Sequence, residues 1–277
     1  MTISTRVRAF IVLAFALVVI LAAVGATTAL ASHSWNGYHW ARTSNPFTLK
    51  LGDNVSSAWD ATLATASSNW NAPSATSTVL HTTVVAGASK RNCQPTKGRV
   101  EVCSKTYGKN GWLGLAQIWV YSDGHIAQGA VKLNDTYFNT SKYNNPNEKL
   151  HVMCQEIGHT FGLDHQSTDG SSLDTCMDYF SNIGANAGSA SSTKPNQHDF
   201  DELALIYAHL DGTTTVAPFT NTGGRGKSAV GVGQDTNIDD QRAWGKEVRK
   251  DARGRESLYE RDLGNGEKLF TFVTWAK

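Results

Sequence analysis

Between positions 155 and 165 the chain reads Gln-Glu-Ile-Gly-His-Thr-Phe-Gly-Leu-Asp-His, and this spacing constrains the fold more than any other stretch. Positions 155 and 159 are i and i+4, so on a helix both side chains leave one face about a turn apart. Two ligands so placed can grip one ion. Glu156 sits one residue round, beside the ion, where a carboxylate can take a proton from water. Gly162 tolerates a left-handed backbone and can end the helix sharply, which returns the chain to deliver His165.

The segment matches the pattern H-E-x-x-H-x-x-G-x-x-H at every signature position but the first, where Gln155 replaces histidine. Cys176-Met177-Asp178-Tyr179 follows as a candidate methionine turn. On these residues the chain resembles the metzincin clan of zinc endopeptidases, and Asp164-His165 is most similar to the matrixin branch. The likeness covers roughly residues 35 to 211, with 54–70 similar to the clan's first helix, 114–134 to the strands bordering the cleft and 198–210 to the closing helix.

The resemblance implies an α+β fold: a twisted mixed sheet, an active-site helix and a C-terminal helix. It implies one catalytic Zn²⁺ held by Gln155, His159 and His165, with a fourth position open to water. Glu156 would be the general base and Tyr179 an aid to the ion or the developing oxyanion, with Met177 as a floor beneath the metal. The implied activity is hydrolysis of protein or peptide substrates. An amide oxygen is a weaker zinc donor than imidazole. Two readings therefore stand together, a working Gln-His-His protease and a protease-shaped binding protein without turnover.

His151 shares the helical face of 155 and 159 but lies two turns from His159, about 12 Å along the axis, and reads as a surface residue. His125 falls in a Ser-Asp-Gly-His turn that suggests exposure, and His33, His39, His81, His198 and His209 match no ligand spacing. The histidine and aspartate pattern of the matrixins' structural zinc and calcium loop is missing, so additional structural metals are left open.

Residues 1–31, with Arg6 and Arg8, an apolar run from Ala9 and the ending Ala29-Leu30-Ala31, read as a secretory signal peptide. The run is also long enough for an uncleaved anchor, but the small-residue ending favours cleavage. A secreted monomer, free of the membrane after cleavage, is expected. With 25 basic against 24 acidic residues, nothing in the charge points to nucleic acid. Four cysteines in an exported chain suggest two disulfides. Of the three pairings, Cys93–Cys103 with Cys154–Cys176 is preferred, because the active-site reading brings the metal helix and the methionine turn together. Asn54, Asn134 and Asn139 fit glycosylation sequons.

Apolar spacing predicts a first strand within 35–51, a helix over 54–70, strands at 78–86, 99–102, 116–121 and 130–134, the metal helix at 150–161 and a last helix at 200–209. The catalytic-like region thus spans 32–211, a Thr/Gly-rich linker 212–233 and a small extension 234–277. The extension ends in a hairpin, either a docking module or a strand pair packed on the main domain.

Overall fold

The computed structural model describes residues 32–71, 79–88, 92–218 and 239–277. The signal peptide and most of the linker lie outside the described residues. One mixed sheet carries the fold, with eight strands in the order β2-β1-β3-β5-β4-β8-β7-β6. They are β1 (Phe47–Asn54), β2 (Leu80–Ala86), β3 (Val100–Lys105), β4 (Trp112–Val120), β5 (Ile126–Asn134), β6 (Lys246–Lys250), β7 (Glu256–Gly264) and β8 (Glu267–Trp275). The β2-β1-β3-β5 half is parallel, and every pairing from β5 through β4 to β6 is antiparallel. The chain is therefore α+β, as its pattern of elements suggests.

Among the described residues, four α-helices accompany the sheet: α1 (Asp60–Asn71), α2 (Asp135–Phe138), α3 (Pro146–His159) and α4 (Gln197–Ile206). In α1, Leu63, Ala66, Ser67 and Trp70 are buried at helical spacing. α3 starts where Asn145 caps the Asn147 amide and Pro146 takes a first-turn position that needs no N–H donor. It ends at His159, in the last turn.

β4 and β5 are buried along their whole length, on both faces. Helices cover one side. On the other, Trp119 and Leu269 form one small cluster with the Cys93–Cys103 bridge, while Trp112, Trp244, Tyr259 and Val273 form another. Three indoles tie the core to α3: Trp70 Nε1 donates to the Cys154 carbonyl (3.1 Å), Trp35 to His159 (3.2 Å) and Trp40 to Thr160 (2.8 Å).

Several expectations need correction. The helix expected over 54–70 starts only at Asp60, and Asp53 and Asn54 belong to β1. Their segment pairs in parallel with β2 and β3, and those long-range partners outweigh local helical spacing. Asn134 is fully buried. Its amide donates to the Gly108 and Trp112 carbonyls and its oxygen caps the Thr136 amide, so that sequon is closed to modification.

Trp70→Ala should cost about 3–5 kcal/mol, because it removes a fully buried ring and leaves a cavity under α3. Urea unfolding measures this; a loss under about 1 kcal/mol would mean that the core does not rest on this residue.

Candidate active site on helix α3

Gln155, Glu156 and His159 on α3 are all completely buried. Past the helix the backbone turns at Gly162 with φ +101°, and a side chain there would run into the Tyr38 carbonyl. That turn brings His165 back over His159. Nδ1 of His159 lies 2.8 Å from the Leu163 carbonyl. A carbonyl only accepts, so Nδ1 carries the proton and Nε2 presents a lone pair. Nε2 of His165 faces it at 3.2 Å. Two nitrogens on a tetrahedral zinc, each about 2.0–2.1 Å from the ion, stand about 3.3–3.4 Å apart. The pair fits a shared ion.

Burial sets the protonation. It drives His159 well below the usual imidazole range, with His165 adding repulsion, and it brings His165 down to about 3. Both rings are therefore neutral near pH 7, the form that binds metal. Burial also pushes Glu156 up to about 8, against a weak pull from the nearby Thr274 hydroxyl. Neither Glu156 oxygen has a well-formed hydrogen bond. Near pH 7 the group is thus held as a neutral acid, and a buried polar group left without a partner costs free energy unless a cation or a reacting group uses it.

The methionine turn lies against the helix. The Cys154–Cys176 disulfide joins the two, and Met177 accepts from the Gln166 amide at 2.8 Å. A Cβ on Gly158 would come within 2.5 Å of the Met177 sulfur, so that glycine lets the turn approach α3.

Gln155 is tied at both ends. Its Nε2 donates to the Asp178 carbonyl (2.7 Å) and its Oε1 accepts from the Thr274 hydroxyl (2.7 Å). Tyr179 packs its ring on His165 with centroids 4.7 Å apart, and its hydroxyl donates to the Val273 carbonyl (2.5 Å). Thr274 and Val273 lie on β8, as does Phe272, which stacks on His159 at 4.1 Å and 12°. From β6, Arg249 pairs with Asp164, next to His165. The C-terminal strands thus touch Gln155, His159 and Tyr179 and lie along β4, the strand beside the site.

His151 is not a surface residue. It is 1% exposed, with Nδ1 facing Asn182 Oδ1 and Nε2 facing the Asp178 carbonyl, each at 3.0 Å. It braces the methionine turn. A second group was missed altogether: His39, His209 and Asp211 place their ligand atoms within 4.8 Å of one another and could hold a metal ion. The His-x-Asp at 209–211 was its only local signal, since His39 arrives from the other end of the described chain.

Gly162→Ala should destabilise the chain by about 1–3 kcal/mol, through backbone strain and the clash with Tyr38. Thermal or urea unfolding reads this; a neutral substitution would show that the turn delivering His165 is looser than described. Compared with known proteins, the chain matches no family model and no curated protein.

Proposed function

We propose that the chain is a secreted, zinc-dependent endopeptidase of metzincin type, held closed by its own C-terminal strands. The observation that carries this reading is the Nε2 lone pair of His159 with Nε2 of His165 facing it at 3.2 Å, beside a buried Glu156 without a well-formed hydrogen bond. Zinc bound there would polarise a substrate carbonyl, bring the pKa of water to about 7 and favour ionised Glu156. Glu156 would take the proton from the attacking water and pass it to the leaving nitrogen. His159 keeps its orientation through Leu163, and Tyr179 has its hydroxyl within reach of the cleft once Val273 withdraws.

Removing β8 would expose the backbone donors and acceptors of β4. An extended peptide substrate could then pair along this edge, where β8 now lies antiparallel with Ala116 opposite Phe272 and Gly114 opposite Thr274. A protein or peptide substrate therefore suits the geometry.

Gln155 favours the rival reading, a binding protein without turnover. Its oxygen already accepts from Thr274, so it joins a metal only through its second lone pair or after Thr274 leaves.

The test compares the mature chain, a chain ending at Gly245 and the full chain carrying Phe272→Ala with Thr274→Ala, each with and without Glu156→Ala. Zinc content and cleavage of an unfolded protein are measured. The opened forms should cleave at least about 100-fold faster than their Glu156→Ala counterparts, and the closed chain should be slow. Zinc-loaded, folded, opened chains without cleavage would exclude the peptidase. Gln155→His should tighten zinc binding about 10- to 100-fold, whereas unchanged affinity would remove position 155 from the ligand set.

A further inference from the structure

Away from α3, three imidazoles converge on one carboxylate oxygen. Nε2 of His39 lies 3.5 Å, Nε2 of His125 3.3 Å and Nε2 of His209 3.4 Å from Asp211 Oδ1. Nε2 of His39 and Nε2 of His209 are themselves 3.2 Å apart. For His39, His209 and Asp211 these separations are close to the edge of a tetrahedron whose centre lies about 2.0–2.1 Å from each ligand, the zinc distance for nitrogen and oxygen donors, whereas His125 approaches Asp211 without joining that close group.

The far sides of the ligands are already occupied. His39 Nδ1 is 2.8 Å from the Gly37 carbonyl and His125 Nδ1 is 2.9 Å from the Asp123 carboxylate, so each ring is oriented from behind by an acceptor while its Nε2 faces Asp211. The Arg42 amide and guanidinium donate to Asp211 Oδ2, which leaves Oδ1 to face the imidazoles.

We propose that His39, His209 and Asp211, with His125 as fourth ligand, form a structural zinc site distinct from the His159–His165 pair. His125 would complete a tetrahedral shell of three imidazoles and one carboxylate by closing on the other ligands, leaving no position for water, which suits a structural role. The site joins the N-terminal strap, the β4–β5 turn and the segment after α4. That strap also carries Trp35 and Trp40, whose indoles cap the carbonyls of His159 and Thr160 at the end of α3. Zinc in the cluster would hold the strap that holds the helix end.

Zinc per chain and Tm are measured after equilibration with zinc chloride for the full chain, for His209→Ala, for His125→Ala and for His165→Ala. The His209 side chain is 57% exposed, so its loss spares the core. His209→Ala should carry one zinc fewer than the parent, whatever the His159–His165 pair holds, and should lose most of the zinc-dependent rise in Tm. His165→Ala should keep the zinc that His209→Ala loses. His125→Ala should weaken that zinc at least about 10-fold. Equal zinc content and Tm response in His209→Ala and parent overturn the site, and undiminished affinity in His125→Ala overturns its place as fourth ligand.

Discussion

The pairing of β8 with β4 decides what state the candidate site is in. β4 has hydrogen-bonding capacity on both edges, one satisfied by β5 and the other by β8. An unpaired β4 edge would be open to any extended chain. In the structure that edge is filled by the protein's own C-terminus, and the same strand brings Phe272 over His159 and Thr274 onto Gln155. Closing the sheet and covering the site are thus one event.

The cover works through contacts of different kinds. The Phe272 ring excludes water from the imidazole pair, the Val273 carbonyl takes the Tyr179 hydroxyl, and Arg249 neutralises buried Asp164 beside His165. Lifting β8 would expose a fully buried Phe272 and leave two buried polar groups seeking partners. Spontaneous opening is therefore costly. The same C-terminal end of α3 is also held by the N-terminal segment, through Trp35 and Trp40. Chain segments far apart in sequence thus fix this end of the helix.

Local chemistry made α3, Gly162, His165 and the methionine turn legible in the sequence, because their geometry depends on spacing within about one turn or one tight loop. The Cys154–Cys176 pairing followed once that geometry was assumed. The remainder depends on long-range packing. Nothing near Gln155 announces that its oxygen meets Thr274, 119 residues away. His151 looked like a surface residue because Asn182 and Asp178, which make it a buried brace, lie beyond the helix. His39, His125 and His209 read as unrelated for the same reason: only the folded sheet and α4 bring them to Asp211.

The most direct test is anomalous diffraction at the zinc edge from crystals of the mature chain grown with excess zinc. The account expects a peak about 2 Å from Nε2 of both His159 and His165. A map with no peak there, and the two rings hydrogen-bonded to each other instead, would contradict it.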